Sequence, residues 1–351
     1  MSFITKPHVV RVEMPTNALG LTMRDYEGGM STLCAGCGHD SVSSAIAQTF
    51  FELSIPPHRA AKMSGIGCSS KTPAYFLRTS HGMNAVHGRM PAVATGVAAA
   101  NRELHVLGVS GDGDSLSIGL AHFVHAMRRN LNMVYILENN GVYGLTKGQF
   151  SASADIGSTA KGGAPNLQQP LDPLQMALSA GGTFVARSFS GDKHQLIPLI
   201  KAGLEHRGFA LIDVISPCVT FNDHVGSTKS YAHTRDASRE LFPTDFVPPA
   251  EAIEVELAPE GTTPVKLHDG SQILLRQTDS GYDPTDRGAA FQAIVEHQAR
   301  GEILTGLVYI DRDADDMHAS NETCPKPLVD VPFAELCPGS DALERLMAGF
   351  A

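Results

Sequence analysis

The chain has 351 residues, 42 % of them hydrophobic and 18 % charged, with a mean hydropathy of −0.05. This excludes a disordered chain, and the length suits one large α/β domain or two ordinary ones, domains running to roughly 100–200 residues. A net charge of −10 argues against a binder of phosphate backbones, so no nucleic-acid partner is expected, and no apolar run reaches the roughly 20 residues of a membrane span, so no membrane is expected either.

Residues 1–11 lack the charged-then-apolar layout of a signal peptide, which predicts a cytoplasmic protein. Asp40 is placed to cap a helix over 40–53, with Ile46, Phe50 and Leu53 on one side. A short strand over 60–64, a turn rich in Gly, Cys and Ser, and a small-residue helix over 91–101 follow. The clearest part comes next. The apolar strand 105–110 ends in Gly111-Asp112-Gly113-Asp114, a helix is predicted over 115–129, and the buried strand 133–137 runs into Glu138-Asn139-Asn140-Gly141. Helices over 173–180 and 193–206 alternate with strands over 183–186 and 209–215, which reads as βαβ units in a largely parallel, doubly wound sheet. Residues 243–281, rich in Pro and Gly and including the alternating run 253–257, read as a hairpin-rich excursion. A helix over 288–298 and a strand over 303–310 precede an irregular end, where ten acidic and three basic residues after position 300 leave a local charge of −7.

Gly111-Asp112-Gly113 and Asn139-Asn140-Gly141 each end an apolar strand, and one helix separates them. Two such strands in one sheet bring both turns to the same edge. The glycines let backbone approach a ligand, while the Asp112 carboxylate and the Asn140 amide oxygen are the hard donors that magnesium takes together with diphosphate oxygens and water. Asp114 is a candidate helix cap or ligand contact. Of the six cysteines, Cys34 and Cys37 form a close pair, which in a cytosolic protein points to metal or redox work rather than a crosslink.

The paired turns resemble the signature of thiamine diphosphate enzymes. That resemblance implies magnesium held by Asp112, Asn140 and the backbone carbonyl of Val142. A fuller resemblance covers roughly residues 32–219 and, more weakly, 282–286 and 303–310. Cys34-Ala35-Gly36-Cys37-Gly38-His39, Gly65-Ile66-Gly67-Cys68-Ser69-Ser70-Lys71, His87-Gly88-Arg89, Tyr143-Gly144-Leu145-Thr146-Lys147-Gly148-Gln149 and Ser216-Pro217-Cys218 together resemble the β subunits of 2-oxoacid:ferredoxin oxidoreductases. The fold so implied is the thiamine diphosphate-binding α/β fold, with an N-terminal extension over 1–30, the cofactor- and cluster-binding domain over 31–240 and a C-terminal extension over 241–351.

The same resemblance implies that Cys34, Cys37, Cys68 and Cys218 ligate one 4Fe-4S cluster. Zinc is the rival occupant, although structural zinc sites usually draw on two close pairs, whereas Cys68 and Cys218 stand singly. Cys324 and Cys337 carry no partner motif and read as ordinary cysteines. Lys71 is the candidate holder of a substrate carboxylate, with a surface lysine as the alternative. His39 and His87 are candidates for bonding phosphate or thiazolium-side groups, or else satisfied histidines. Arg89 is a candidate for pairing with phosphate or bracing its loop, and Gly67, Gly88, Gly111 and Gly113 for close backbone approach. Leu145 and Thr146 are expected to line the substrate pocket.

The implied activity is oxidative decarboxylation of a 2-oxoacid, with 2-oxoglutarate the first choice, using CoA to give acyl-CoA and CO2 while electrons leave one at a time for ferredoxin. An α subunit is expected to supply the pyrimidine-side glutamate and the CoA site in an αβ or α2β2 assembly. Pyruvate or a broad range of 2-oxoacids is the near alternative. A non-oxidative thiamine-dependent decarboxylase or carboligase would leave four placed cysteines idle, and a scaffold subunit would leave the magnesium pair idle.

Overall fold

The apolar runs become strands of one sheet in the computed structural model, which describes residues 14–159, 163, 165–242, 262–266, 272–276, 281–337 and 339–350. In chain order the strands are β1 (Ala60–Ser64), β2 (His81–Asn84), β3 (His105–Gly111), β4 (Met133–Asn139), β5 (Val142–Tyr143), β6 (Gln149–Phe150), β7 (Phe184–Phe189), β8 (Phe209–Ile215), β9 (Ser238–Phe242), β10 (Thr262–Lys266), β11 (Gln272–Arg276) and β12 (Ile303–Ile310). Eight of them form the sheet in the order β2-β1-β3-β4-β8-β7-β12-β9, parallel throughout except where β12 runs antiparallel to β7. The last segment of the chain therefore lends β12 to the same sheet as residues 60–215.

Alternation along the central strands divides the core in two. Met133, Tyr135 and Leu137 of β4 face one apolar layer with Phe209 and Leu211 of β8, while Val134 and Ile136 face the other with Ala210 and Ile212. Every residue of β4 and β8 is buried, as expected of parallel strands covered on both faces. The helices α1 (Gly38–Glu52), α2 (Met90–Ala100), α3 (Leu120–Arg128), α4 (Pro173–Ser179), α5 (Lys193–Glu205), α6 (Tyr231–Ala237) and α7 (Arg287–Ala299) supply the covers. Helices α1 and α5 pack together on one side, and α2, α3, α4 and α7 contribute to the other layer. Asp172, Asp192 and Asp286 cap α4, α5 and α7 through side-chain bonds to first-turn N–H groups.

Three expectations change. Helix α1 begins at Gly38 with Cys37 as its N-cap, so Asp40 lies inside the first turn, where its charge complements the helix dipole, rather than capping. The helix expected over 115–129 is broken: Gly113–Ile118 forms a wide π turn closed by Gly119 N–H to the Asp114 carbonyl at 2.8 Å, and only then does α3 start. Two glycines force the break. A Cβ on Gly119 would sit 2.7 Å from Gly88 Cα, so the two backbones touch where no other residue fits. The acidic end is also more regular than expected, with a helix at Ser340–Ala348 that exposes Leu343, Leu346 and Met347. In the excursion, β10 and β11 pair as an antiparallel hairpin, and the 253–257 run lies outside the described residues, as do residues 1–11.

Candidate cofactor and cluster site

Neighbouring parallel strands present their carboxyl ends at one edge, and β1, β3, β4 and β8 are neighbours. The turns that follow them carry Cys68, Asp112, Asn140 and Cys218 respectively. The Cys34–Cys37 segment joins the same edge because Gly38 at the start of α1 packs on the turn after β8. Gly38 N–H reaches the Pro217 carbonyl at 3.4 Å, and a Cβ there would meet Ser216 Oγ at 2.5 Å.

Asp112 is buried and held firmly. Its Oδ2 accepts from Gly141 N–H at 2.9 Å, from Ser153 Oγ at 2.6 Å and from Ser151 Oγ. None of these donors goes to Oδ1, and the residue lines a narrow cleft. Ser153 Oγ also lies 2.8 Å from Asn139 Oδ1, whose amide nitrogen donates to Asp213 Oδ1 at 3.1 Å, and Asp213 pairs with Arg187 at 2.6 Å. Asn140 Oδ1 accepts from Val142 N–H at 3.0 Å in a turn closed on itself, which leaves one lone pair of that oxygen for another partner. Gly113 has to be glycine: a Cβ would lie 2.5 Å from the Tyr143 ring, whose hydroxyl donates to the Gly113 carbonyl at 3.1 Å.

The same cleft is lined by Gly67, His87, Gly111, Asp114, Val142, Leu145 and Thr146 and encloses about 50 Å³. Pockets that bury a whole drug-sized ligand hold roughly 300–1,000 Å³. This cleft is large enough for a headgroup and too small to enclose a whole cofactor. Asp114 caps no helix. Its Oδ1 accepts from Gly88 N–H and its Oδ2 from Ser110 Oγ, both at 2.8 Å, which ties the His87–Arg89 turn to the Asp112 loop. Arg89 is exposed at the start of α2, outside the residues lining the cleft. A wider cleft of about 970 Å³ shares the Tyr143 wall and continues past Phe150 to Gln168.

The four cysteines, from three segments, gather beside this cleft. A Cβ on Gly144 would lie 3.3 Å from Cys68 Sγ and 3.7 Å from Cys218 Sγ, and Cys34 Sγ receives Thr220 Oγ1 at 3.5 Å. Burial pushes the Cys37 thiol up to about 12 and Cys68 to about 11, with neighbouring thiols adding to both; Cys218 is raised the same way. Without a cation among them these are protonated thiols. Among the described residues no group of three or more His, Cys, Asp or Glu side chains is arranged to hold a single metal ion. A 4Fe-4S cluster makes a different demand, one thiolate on each of four irons spread around a cage, and four separate thiols around one spot fit it.

His39 and Lys71 stand apart from the cleft. His39 is buried behind the cysteines with Nδ1 2.7 Å from Ser216 Oγ, and burial lowers it to about 4. Glu138 Oε2 lies 3.6 Å from that Nδ1, yet burial holds the Glu138 carboxyl far above the usual range, so both are neutral and form no ion pair. The Ser69 side chain beside Glu138 opposes that shift without overcoming it. Lys71 Nζ donates to the Thr32 carbonyl at 3.0 Å. Sequence reasoning missed Glu138, Ser151 and Ser153; the Ser-Ala-Ser spacing puts both hydroxyls on one side of an extended segment but does not say what they face.

A parallel sheet with a glycine-flanked aspartate and an asparagine turn at adjacent strand ends defines a thiamine diphosphate-binding half-site. Residues 65–214 match the thiamine pyrophosphate enzyme, C-terminal TPP binding domain. The 2-oxoacid:ferredoxin oxidoreductase subunit beta of Saccharolobus solfataricus is 43 % identical over 203 residues, 58 % of this chain and 66 % of that one. The 2-oxoglutarate synthase subunit KorB of Methanocaldococcus jannaschii is 40 % identical over 190 residues, 54 % of this chain and 69 % of its own length. Among solved structures, the 2-oxoglutarate:ferredoxin oxidoreductase of Magnetococcus marinus, with 2-oxoglutarate, coenzyme A and succinyl-CoA bound, superimposes with a TM-score of 0.70 at 32 % identity, covering 86 % of this chain and 89 % of that one. The chain belongs to the β subunits of the 2-oxoacid:ferredoxin oxidoreductases. It spans 66 %, 63 % and 60 % of three of the curated archaeal relatives it matches.

Proposed function

We propose that this chain binds thiamine diphosphate and one 4Fe-4S cluster and, with an α subunit, oxidatively decarboxylates a 2-oxoacid, 2-oxoglutarate first, to acyl-CoA and CO2. The observation that carries it is the meeting of four cysteines from three segments beside the Asp112–Asn140 cleft. The balanced reaction is 2-oxoacid + CoA + two oxidised ferredoxins → acyl-CoA + CO2 + two reduced ferredoxins + H⁺. Thiamine diphosphate, when bound, supplies the electron sink for decarboxylation.

The chain's own residues bind and orient. Asp112, Asn140 and the Val142 carbonyl would hold magnesium, which would supply positive charge against a diphosphate. Gly67, Gly111 and Gly113 admit backbone close to it, and His87 bonds a phosphate oxygen. Leu145 and Thr146 bound the substrate space. Lys71 exchanges its bond to Thr32 for the substrate carboxylate, acting as a point charge. Cys34, Cys37, Cys68 and Cys218 would hold the 4Fe-4S cluster, which would supply a one-electron acceptor. His39, remote from the cleft, serves by bracing Ser216 beneath Cys218. The α subunit covers the half-open cleft and supplies the glutamate and the CoA site, in an αβ or α2β2 assembly. Residues 31–240 form the binding domain, 1–30 an N-terminal extension and 241–351 a C-terminal one. No helix among the described residues is long and apolar enough to cross a membrane; a cytoplasmic site of action is part of the proposal.

The test is an anaerobic αβ preparation assayed for CoA-dependent ferredoxin reduction. 2-Oxoglutarate should support it. Activity with pyruvate alone would overturn the substrate assignment, and CO2 release without electron transfer would overturn the oxidative reaction.

A further inference from the structure

Five side chains form one hydrogen-bonded line from the cleft across the sheet. Asp112 follows β3, Asn139 ends β4, Asp213 lies on β8 and Arg187 on β7, one for each of four neighbouring strands, and Ser153 joins the first two. Ser153 Oγ lies 2.6 Å from Asp112 Oδ2 and 2.8 Å from Asn139 Oδ1, so its single hydroxyl proton is shared between them. Asn139 Nδ2 donates to Asp213 Oδ1 at 3.1 Å, and Arg187 Nε donates to Asp213 Oδ2 at 2.6 Å. No member is more than 7 % exposed. Arg187 and Asp213 are register partners on adjacent strands whose other side chains, among them Val185, Ala186, Ile212 and Val214, are apolar. Beyond them, Arg187 Nη2 donates to Asp172 Oδ2 at 3.0 Å. Asp172 caps α4 and also accepts from Gln298 Nε2 of α7 at 2.7 Å, so two helices brace the far end of the line.

We propose that Arg187 and Asp213, three strands away from the cleft, are positioning residues for Asp112, acting through Asn139 and Ser153. The inference rests on the reading of Asp112 as a magnesium ligand. An ion pair inside an apolar sheet adds little stability over apolar side chains of like volume, so stability alone does not account for this one. Its geometry does. A side-chain amide can face either way; Asp213, with one oxygen taken by Arg187, takes the Asn139 nitrogen on the other and leaves the Asn139 oxygen toward Ser153. Ser153 Oγ is thereby held from both sides, and with it the Asp112 oxygen that it shares with Gly141 N–H and Ser151. The other Asp112 oxygen keeps a fixed aim because the first cannot turn. Groups that orient a metal ligand without touching the metal typically change affinity for the metal by about 10–100-fold when they are lost.

The test follows calorimetric binding of thiamine diphosphate to the αβ complex as magnesium is varied, with iron content measured alongside. Arg187→Ala should raise the magnesium needed for half-maximal binding by about tenfold or more and leave iron content unchanged. A cleft of about 430 Å³, lined by Asn139, Ser153, Asp172 and Arg187 among others, opens onto the line. Guanidinium at non-denaturing concentration can therefore enter the space left by the arginine, and it should restore the wild-type requirement. Asn139→Leu breaks the middle link while keeping the ion pair, and should show the same rise without rescue. Phe209→Ala, a destabilising change at the other end of β8, should leave the magnesium requirement as it is. An unchanged requirement in Arg187→Ala, or in Asn139→Leu should the arginine variant fail to fold, would overturn the proposal. So would a rise that guanidinium does not reverse, or an equal rise in Phe209→Ala, either of which would assign the effect to packing. Wild-type binding that is independent of magnesium would instead overturn the reading of Asp112 itself, and the positioning role with it.

Discussion

Asp112 has three hydrogen bonds directed at one carboxylate oxygen, an arrangement that fixes the other oxygen relative to the cleft. Two kinds of substitution separate holding the metal from orienting its ligand. Asp112→Ala should abolish retention of thiamine diphosphate while iron content stays the same; loss of the cluster with cofactor still bound would contradict the assignment. Ser151→Ala with Ser153→Ala should leave both groups bindable but raise the magnesium needed for half-maximal cofactor retention by at least about tenfold, since even one hydrogen bond to a charged group contributes about 1.5–3 kcal/mol. An unchanged magnesium requirement would mean the serines only fill space. Asp112 and Asn140 were legible in the sequence because each sits in a glycine turn that ends an apolar strand. The serines were not, because their partner lies 39 and 41 residues away across a segment without periodicity. Glu138 was hidden for a related reason: a carboxylate at a strand end reads as solvated until both neighbouring layers are seen to close over it.

Elements bring these side chains together, and their errors of reading were local. The central strands were legible because burial on both faces makes them continuous apolar runs. The π turn was not, since its cause is the contact of Gly119 with Gly88 across two segments. Gly119→Ala should destabilise the fold and, by pushing the His87–Arg89 turn away, weaken cofactor retention; a variant with wild-type retention would remove that link. Phe209→Ala should cost about 3–5 kcal/mol in denaturant unfolding, because its ring packs against Phe123 and Tyr135 in a closed layer. At the opposite edge of the sheet, burial beside Phe184 and Thr183 lowers His206 to about 4, with Asp311 opposing the shift. A histidine held below its unfolded value near 6.5 keeps its full contribution above that pH. Stability is then lost as pH falls from about 6.5 toward 4. Unfolding midpoints should drop over that window and drop less in His206→Gln; equal losses would assign the acid sensitivity elsewhere.

At the scale of the whole molecule, the proposed function makes the chain half of a site. The cleft around Asp112 encloses about 50 Å³, and the acids that line it, Asp112 and Asp114, are both tied down by hydrogen bonds within the chain. Alone, the chain should bind cofactor weakly and turn over no 2-oxoacid. The sequence conveyed one dominant α/β domain because its strand and helix signals alternate, but it did not convey that β12 returns to the sheet from beyond residue 300, since insertion antiparallel to β7 and beside β9 leaves no local mark. The central claim joins two groups in one chain: a thiamine site whose electrons pass to a neighbouring cluster. It is tested most directly by adding 2-oxoglutarate and CoA to the anaerobic αβ complex without an external acceptor and following the visible absorbance of the cluster. Bleaching is predicted in the wild type, with none in Asp112→Ala at the same iron content; an iron-free chain, or bleaching that persists in Asp112→Ala, would contradict the account.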